Sequence, residues 1–265
     1  MSVLETTDTA APVLVRADGP AARITLNRPA QRNAMSLDVL GRLTEALRRL
    51  GEDDDVRAIV IEGAGPAFSA GHDFREMVGR DLAFYQRLFD ACQEMMEAVH
   101  AVPQPVVARV HAAAAAAGCQ LVAACDLAVA ADTARFSTPG VRNGIFCSTP
   151  MVPLSRAIGR KRALEMLLTG LPIDAATALD WGLVNRVVPA EGLDVAVSEL
   201  VDAIAASSGF VVGIGKRAFY DQVDLDERRA YDHMGAVMSM NMLADDAQEG
   251  VCAFLEKRGP TWTGR

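Results

Sequence analysis

The sequence predicts an α/β fold, in which buried strands alternate with helices and a helical region follows. Short apolar runs bounded by turn residues, such as Ala58–Ile61 and Val106–Val110, are typical of strands buried on both faces. Amphipathic segments separate these runs, as they do in α/β proteins. After about residue 187 the pattern changes to successive helical segments. These three observations favour a largely parallel sheet followed by a helical C-terminal region.

Composition and charge narrow the class of protein. The chain has 265 residues, enough for one large domain or two modest ones, and 51% of them are hydrophobic. With 26 basic and 34 acidic residues the net charge is −8, and no basic cluster is present, so we expect no nucleic-acid partner. No apolar run approaches the roughly 18–20 residues that span a bilayer, so we expect no membrane partner.

The N-terminal residues and the cysteines indicate the compartment. Residues 1–12 carry Glu5 and Asp8, no basic side chain and no long apolar stretch, unlike a secretory signal or an organelle transit peptide. We expect these residues to be flexible and the protein to be soluble and cytoplasmic. Five cysteines without a CxxC pair favour reduced, buried thiols, and the four histidines lack zinc-site spacing, so we expect no metal.

The first elements are a hairpin and a capped helix. Val13–Arg16 and Ala22–Leu26 have the composition of strands, and Asp18-Gly19-Pro20 between them is a turn signal. Ser36 is a suitable N-cap for a helix whose leucines recur at three- and four-residue spacing until Gly51. The sequence therefore predicts two paired strands and then a helix with one apolar face.

A long amphipathic helix and further strands follow. The helix is predicted over Leu82–His100, and Pro103 and Pro105 end it before the strand at 106–110. Leu127–Ala130 is the next buried strand. The helical segments of the last part of the chain are 193–206, 210–222, 227–243 and 245–256. We accordingly divide the chain into a flexible N-terminus (1–12), a core (13–192) and a helical C-terminal region (193–265).

Two glycine turns follow buried strands and carry the first functional signal. The first turn is Ala67-Phe68-Ser69-Ala70-Gly71-His72-Asp73. Gly71 can adopt a backbone conformation that other residues resist, so the small Ala70 before it can present its N–H to a ligand. Such a donor stabilises the negative charge that develops on a carbonyl oxygen in acyl-thioester chemistry. The alternative is an ordinary βα loop.

The second turn lies in the alanine run 112–117 and Gly118. Six successive alanines favour a helix. Gly118 and its small neighbours also allow a helix to begin there and continue to Cys125, and a helix N-terminus offers free N–H groups to an anion. The alternative is a small-residue helix packed tightly on a sheet. Because both turns follow buried strands, one shared pocket explains them better than two coincidences.

Several ordered motifs lie between residues 13 and 258. In chain order they are Asn27-Arg28-Pro29 with Asn33-Ala34-Met35, Phe68–Asp73, Ala117–Leu121 with Cys125-Asp126-Leu127, Leu168-Thr169-Gly170 with Trp181–Val184, and Glu249–Arg258. Together they resemble the crotonase family, also called the enoyl-CoA hydratase/isomerase superfamily. The resemblance implies a spiral core of ββα turns and a helical C-terminal region that forms trimers or dimers of trimers. It also implies a coenzyme A thioester as substrate or ligand, without a bound cofactor.

The resemblance assigns roles to individual residues. It puts two backbone N–H groups that bind the thioester oxygen at Ala70 and Ala117, because alanine keeps the N–H of the glycine common at the second position. The residues that it assigns to coenzyme A binding are Arg28, Arg32, Ala70, His72, Phe74 and, from a neighbouring subunit, Lys257.

The two catalytic glutamates of the hydratases fall at Gln120 and Gly140 in this sequence. Neither residue can act as a general base, and each such group contributes roughly 10²–10⁴-fold to a rate. Gln120 can still orient a water molecule or a substrate by hydrogen bonds. We therefore expect ordinary hydration and simple isomerisation to be disfavoured. The sequence around these two positions resembles that of a subgroup of enoyl-CoA hydratase domain-containing proteins that lack both glutamates.

Other side chains remain as candidates for the chemistry. An imidazole with a pKa near 6.5 can act as acid or base, so His72 is one candidate, and Asp73 beside it is another. The alternative for His72 is binding or packing near coenzyme A. The segment 147–149 either lines the acyl pocket or caps a helix before Met151. Two functions stay open: an acyl-CoA enzyme using a non-glutamate group, and a non-catalytic acyl-CoA binder or scaffold.

Overall fold

The computed structural model describes residue 6 and residues 8–265, and their strands form two sheets. The larger sheet has the order β1-β2-β3-β5-β7-β10, and the smaller sheet has the order β4-β6-β8-β9. The strands are β1 (Val13–Asp18), β2 (Ala21–Leu26), β3 (Ala58–Gly63), β4 (Ala67–Ser69), β5 (Val106–Val110), β6 (Ala113–Ala115), β7 (Leu127–Ala131), β8 (Arg135–Ser137), β9 (Ile173–Asp174) and β10 (Arg186–Val188).

Strand order shows that the core is a spiral. The hairpin β1–β2 and the pair β8–β9 are antiparallel, and the other described pairs are parallel. β3, β5 and β7 lie in the larger sheet, and each is followed within a few residues by a strand of the smaller sheet, β4, β6 or β8. A helix follows each of these pairs. The predicted core of repeated ββα turns is therefore confirmed.

Helices fill the intervals and the last part of the chain. They are α1 (Leu37–Gly51), α2 (Phe74–Met77), α3 (Leu82–Ala101), α4 (Ala117–Ala124), α5 (Met151–Ala157), α6 (Arg160–Thr169), α7 (Ala175–Trp181), α8 (Leu193–Ala205), α9 (Gly209–Gln222), α10 (Glu227–Asn241) and α11 (Asp245–Glu256). α1, α3 and α8 to α11 agree with the prediction within about two residues. The predicted cap is present, since the Ser36 hydroxyl accepts a hydrogen bond from the Val39 N–H.

The larger sheet is buried on both faces, which explains its uninterrupted apolar runs. Ile59 and Ile61 of β3 belong to the main core with α1 and α3. Ala58 and Val60 point to the opposite face, where they pack in a second cluster with Leu193 and other residues of α8. Successive side chains of a strand point to opposite faces of the sheet. A strand that is covered on both faces therefore has apolar residues at every position and lacks the alternation of polar and apolar residues that marks a half-exposed strand.

The alanine run corrects one prediction. Residues 113–115 form β6, which lies between β4 and β8, instead of a helix. Ala114 pairs with Phe136 of β8, and Ala113 pairs with Ala67 of β4. Pairing on both sides outweighs the helical preference of alanine, which is only a few tenths of a kcal/mol per residue over most residue types. The helix α4 begins at Ala117, close to the alternative start at Gly118.

One buried ion pair joins the C-terminal helices to the core. The Lys216 amine of α9 lies 2.7 Å from the Asp126 carboxylate and donates to the carbonyl oxygens of Val99 and Gln104. The Tyr220 hydroxyl donates to the other Asp126 oxygen at 2.7 Å. The Lys216 side chain is 6% exposed. Burial lowers the pKa of Lys216, and the Asp126 charge opposes that effect.

No helix within residue 6 and residues 8–265 is by itself long and apolar enough to cross a membrane, whereas Ala190–Ala205 and Gly209–Gln222 qualify as a pair that is bent by 103°. Within the same residues, no three His, Cys, Asp or Glu side chains are grouped so as to hold a metal ion.

Candidate functional site

The two glycine turns pack directly against each other. A methyl group on Gly71 would lie 2.8 Å from the Ala116 Cβ and 3.1 Å from the Ala117 nitrogen. A methyl group on Gly118 would lie 2.4 Å from the carbonyl oxygen of Ser69. Real side chains do not approach this closely, so each turn needs glycine where it meets the other. The two turns therefore lie in direct contact, and the single pocket that the sequence indicated stays a prediction.

The second turn presents a helix N-terminus. Ala116 has φ 49° and ψ −118°, a left-handed conformation that is uncommon for alanine. Its N–H donates to Ser137 O, and its carbonyl oxygen accepts from the Gln120 N–H. Ala117 is then the first residue of α4, and its N–H has no acceptor in the described part of the chain. The assignment of Ala117 as an oxyanion donor remains a prediction, and its N–H is available for that role.

The first turn corrects the assignment of the other donor. The Ala70 N–H donates to the carbonyl oxygen of Arg32 at 2.9 Å, so it is not available to a ligand. The N–H of His72, two residues later, has no acceptor among residue 6 and residues 8–265. The prediction that Ala70 provides the free donor is therefore wrong, and His72 provides a free N–H instead.

Pairing with Met35 explains why the His72 N–H is free. The Met35 N–H donates to Gly71 O at 2.8 Å, and the Asp73 N–H donates to Met35 O at 3.1 Å. In such a parallel bridge the residue between the two bonds directs its own N–H away from the partner. The Asn33-Ala34-Met35 motif is the sequence signal for this pairing, but the sequence analysis did not connect it with the donor.

The two ring nitrogens of the half-buried His72 side chain have no hydrogen-bond partner among the described residues. Both ring nitrogens are inaccessible to solvent and form no hydrogen bond with the described residues. The ring contacts Phe89 of α3 edge-on, with the ring centroids 5.5 Å apart. Burial lowers the pKa of the imidazole, and the nearby Met35 carbonyl offsets this lowering only in part. The ring is therefore neutral at pH 7 and offers one donor and one acceptor.

Gln120 occupies the next turn of α4 after the free N–H groups. It is 5% exposed, and its Oε1 lies 3.9 Å from the Cys92 sulfur. Its amide nitrogen has no partner in the part of the chain that the structure describes. Burial raises the pKa of the Cys92 thiol to about 12, so the thiol stays protonated and donates weakly to the amide oxygen. The amide can thus bind a group in the site but cannot move a proton.

Gly140 leaves no room for a side chain. A methyl group there would lie 2.3 Å from Ile145 O and 2.7 Å from the Cys147 sulfur. Cys147 is 7% exposed, and burial raises the pKa of its thiol. The position that the resemblance assigns to a glutamate is therefore closed by a protonated thiol and a backbone carbonyl. The helix α5 begins at Met151, but its N-cap is Pro150 and no side chain of 147–149 caps it.

Arg28 and Asp73 serve the structure of the turns. The Arg28 guanidinium donates to Ala34 O at 2.7 Å and to an Asp73 oxygen at 3.0 Å. The other Asp73 oxygen accepts from the Arg75 N–H and caps α2. The hydrogen-bonding groups of Arg28 and Asp73 are thus occupied by each other and by the backbone. This geometry opposes a phosphate-binding role for Arg28 and a proton-transfer role for Asp73.

The other residues assigned to coenzyme A lie on the surface. Arg32 is exposed, has φ 51°, and its guanidinium pairs with no carboxylate of residue 6 or residues 8–265. Phe74 begins α2 and is 47% exposed. Lys257 is exposed at the C-cap of α11, within the C-terminal region. Arg32 and Phe74 lie close in sequence to the first turn, whereas Lys257 follows the last helix of the C-terminal region.

One cavity of the described residues lies away from the two turns. It has a volume of about 620 Å³ and lies between α9, α10 and the loops that precede β3 and β5. Its lining includes Arg57, Gln104, Arg217 and His233 but none of the residues that the sequence analysis assigned to the site. The candidate site is therefore defined by its free N–H groups and close backbone contacts.

Two backbone N–H groups in this part of the fold have no acceptor among the described residues and can donate to the oxygen of a ligand. The N–H of His72 and the N–H of Ala117 belong to turns in van der Waals contact, and the second also lies at the positive end of a helix. The family model for enoyl-CoA hydratase/isomerase matches residues 17–265, and the chain belongs to this family.

Similar proteins agree with this assignment over nearly the whole chain. Enoyl-CoA hydratase domain-containing protein 3, mitochondrial, of Rattus norvegicus is 45% identical over 243 residues, which is 91% of this chain and 80% of the relative. The crystal structure of an enoyl-CoA hydratase of Mycobacterium smegmatis matches with TM-score 0.93 and 47% identity, covering 95% of this chain and 99% of that one. The human enoyl Coenzyme A hydratase domain-containing protein 3 also matches with TM-score 0.93, at 42% identity and coverage of 95% and 100%.

Proposed function

We propose that this protein is an enzyme that binds acyl-CoA thioesters and stabilises their enolates. The thioester oxygen accepts hydrogen bonds from the backbone N–H groups of His72 and Ala117. One observation carries the proposal: neither N–H group has an acceptor among the residues that the structure describes, and the two groups belong to turns whose glycines are in close contact with the opposite turn. The family of the chain supports the choice of a coenzyme A ester over other carbonyl compounds.

The two donors favour the enolate over the neutral thioester. Fixed N–H groups bind an oxyanion more strongly than a carbonyl oxygen, and one such donor is worth about 10²–10³-fold in rate. The N-terminus of α4 adds the favourable end of a helix dipole. Both groups belong to the backbone, so the site is preorganised before a ligand binds. No metal is required for this stabilisation.

Ordinary hydration is disfavoured in this site. Addition of water to an enoyl-CoA needs a group that removes a proton from the water, and neither Gln120 nor Gly140 supplies one. A glutamate introduced at residue 140 would collide with Ile145 and Cys147. The pocket is therefore built for reactions that begin with an enolate instead of an activated water.

The coenzyme A part of the ligand binds at the entrance. Arg32 supplies an unpaired exposed cation for a phosphate, and Phe74 supplies an exposed ring for adenine. His72 contributes its N–H, and Lys257 of a neighbouring subunit adds a second cation. Arg28 has a supporting role, because it fixes Asp73 and the Ala34 carbonyl.

A second function is a non-catalytic acyl-CoA binder or scaffold. The loss of both carboxylates favours it, because binding alone needs no proton-transfer group. The strained backbone at Ala116 favours the enzyme, since a left-handed alanine costs roughly 1–3 kcal/mol and persists mainly where function requires it.

The C-terminal region, residues 193–265, forms a homotrimer or a dimer of trimers. Large apolar side chains on α10 and α11, among them Tyr231, Phe254 and Leu255, are more than 70% exposed. Contiguous exposed apolar side chains mark an interaction surface. The cytoplasmic location stays a prediction.

The experiment follows the enolate of acetoacetyl-CoA, which absorbs in the near ultraviolet. Binding to the wild-type protein raises the enolate fraction, since the oxyanion is stabilised relative to the ketone. Ala117→Pro removes one N–H at the first position of a helix, where proline is tolerated, and lowers the enolate equilibrium by about 10²–10³-fold. Ala117→Gly keeps the N–H and is the matched control. An unchanged enolate fraction in folded Ala117→Pro rules out the proposed oxyanion site, and binding of acetoacetyl-CoA without any enolate supports the binder.

A further inference from the structure

The side-chain amide of Gln120 carries a free donor that solvent can reach. Its nitrogen has no hydrogen-bond partner among the described residues, and it keeps accessible surface, unlike the ring nitrogens of His72. The amide oxygen lies 3.9 Å from the Cys92 sulfur and accepts from that thiol. Because the thiol holds the oxygen on the side of α3, the nitrogen is the end that faces the accessible side. The free end of this side chain therefore donates and does not accept.

The helix α4 places this donor beside one of the free backbone N–H groups. Ala117 and Gln120 are the first and fourth residues of α4, so about 4.5 Å of helix axis separates them. The side chains of a helix tilt toward its N-terminus and cover the preceding turn. The Gln120 amide therefore lies over the first turn of α4, where the Ala117 N–H is free.

One face of α3 brings the first turn to the same place. Phe89 packs edge-on against the His72 ring, and Cys92, three residues later, contacts the Gln120 amide. Residues three apart share a helix face and are separated by about 4.5 Å along the axis. His72, which provides the other free N–H, and Gln120 therefore lie side by side against α3. The amide and the two backbone donors thus surround a small space in which one acyl group fits.

The surroundings of the amide favour an uncharged acceptor. Burial raises the pKa of Cys92, and burial lowers that of His72 with partial opposition from the Met35 carbonyl. No charged side chain of residue 6 or residues 8–265 contributes to either shift. A carboxylate beside the amide would therefore be buried without a cation, which is costly. A hydroxyl group would bring a hydrogen for which the occupied amide oxygen is a poor acceptor, whereas a keto oxygen accepts without donating.

We infer that the site is selective for acyl-CoA thioesters that carry a keto oxygen near the thioester, as in 3-oxoacyl-CoA, and that the Gln120 amide donates to this oxygen. The inference rests on the proposed oxyanion site, which holds the thioester oxygen. A single carbon separates the two carbonyl carbons of a 3-oxoacyl group. Its two oxygens therefore lie a few ångströms apart, a spacing that donors within one helical turn of each other match. Gln120 acts as a specificity residue and moves no proton.

Three four-carbon ligands that differ at C3 test the inference: acetoacetyl-CoA, 3-hydroxybutyryl-CoA and butyryl-CoA. Calorimetry measures the Kd of each, and we expect the wild-type protein to bind acetoacetyl-CoA most tightly and butyryl-CoA most weakly. Gln120→Met keeps a side chain of similar length and removes the donor. Its preference for acetoacetyl-CoA over butyryl-CoA is expected to fall by about 3–10-fold, as for the loss of one hydrogen bond. Gln93→Met, at an exposed glutamine of α3, is the matched control and keeps the wild-type preference.

A second pair of variants tests how the amide is oriented. Cys92→Ser keeps a donor to the Gln120 amide oxygen, so we expect the wild-type discrimination between the keto and the hydroxyl ligand. Cys92→Ala leaves that oxygen free to accept, so 3-hydroxybutyryl-CoA gains affinity relative to acetoacetyl-CoA. If Cys92→Ala leaves this ratio unchanged, the thiol does not orient the amide and the choice of a keto group is wrong.

The remaining outcomes separate this inference from the proposed function. If Gln120→Met keeps the wild-type preference, or weakens all three ligands equally, the inference fails. It also fails if the wild-type protein binds 3-hydroxybutyryl-CoA or malonyl-CoA more tightly than acetoacetyl-CoA. In each of these cases the proposed function stands, provided that the wild-type protein forms the acetoacetyl-CoA enolate and Ala117→Pro loses it. If the wild-type protein binds none of the ligands, the proposed function itself fails.

Discussion

Two helices of equal length show how the core differs from the C-terminal region. α1 and α10 each have 15 residues, but α1 buries six of them whereas α10 buries none. Leu40, Leu43 and Leu47 of α1 are fully buried in the main core, whereas Tyr231 and Met238 of α10 are 74% and 60% exposed. α1 buries its apolar face within one chain. α10 carries apolar surface that one chain does not cover, and we propose that a second copy covers it.

The largest expected effect concerns this uncovered surface. The double variant Leu243→Arg, Phe254→Arg introduces charge at two side chains that are 74% and 82% exposed. Burying unpaired charge in an interface is costly, so we expect complete dissociation to the 28.2 kDa chain. Light scattering after size-exclusion chromatography measures the mass. Leu179→Arg, an exposed apolar position on α7 of the core, is the control and stays oligomeric. A wild-type mass of one chain would contradict the oligomer.

The second effect tests the junction between the two regions. Lys216→Met leaves Asp126 buried without its cation and removes the donor to two backbone carbonyls. Breaking a buried pair in this way costs about 3–5 kcal/mol of unfolding free energy. Urea denaturation measures the loss. Lys161→Met, at an exposed lysine of α6, is expected to change stability by less than about 0.5 kcal/mol. Equal effects of the two substitutions would mean that the junction contributes little.

The third effect tests the contact of the two turns in the core. Gly118→Ala introduces a methyl group 2.4 Å from Ser69 O, so the turns must move apart. We expect a loss of about 1–3 kcal/mol, as for other overpacked sites, and a weaker acetoacetyl-CoA enolate signal. Gly41→Ala in α1 meets no atom within 4 Å and is expected to stabilise the protein by about 0.5–1 kcal/mol. A neutral Gly118→Ala variant would show that the turns are not tightly coupled.

The smallest effect is confined to acid pH and to the C-terminal region. Burial opposes ionisation of Asp246, but hydrogen bonds from Ser208, Thr263 and Gly264 hold its pKa at about 2. A carboxyl group whose pKa is lower in the folded state stabilises the protein above its unfolded pKa, about 3.9, and loses this contribution as pH falls through 2. Asp246→Asn therefore reduces the fall of stability between about pH 4 and pH 2. Denaturation curves at pH 7, 4 and 3 measure this slope. Parallel pH dependences of variant and wild type would exclude the contribution.

The sequence was sufficient for much of the architecture. The leucine spacing of α1, the serine cap before it and the apolar runs of β3, β5 and β7 are local signals, and the structure reproduces them. The ordered motifs also identified the family. The helices between residues 151 and 181 were not predicted individually, because they are short and have weak periodicity.

The candidate site was predicted only in part. The sequence indicated the two glycine turns and Ala117, but it assigned the N–H donor of the first turn to Ala70 and assigned Arg28 to coenzyme A binding. The assignment of Ala70 is wrong, and that of Arg28 stays a prediction that its hydrogen bonds oppose, because the partners of both groups come from other segments. Arg32 O accepts from Ala70, and Ala34 O and Asp73 accept from Arg28. A sequence shows which groups can form hydrogen bonds but not which of them are already satisfied.

The sequence by itself therefore determined the family, the strands β1 to β3, β5 and β7 with the helices α1, α3 and α8 to α11, and the presence of Gln120 and Gly140 at the positions that the resemblance assigns to two glutamates. Only the tertiary structure decided that the alanines at 113–115 form a strand, because β4 and β8 pair with it from both sides. It also decided that the His72 N–H is free, because the bridge to Met35 directs that group away from the protein. Local propensities are worth tenths of a kcal/mol per residue, whereas pairing and close packing between distant segments are worth more, and these fix the site.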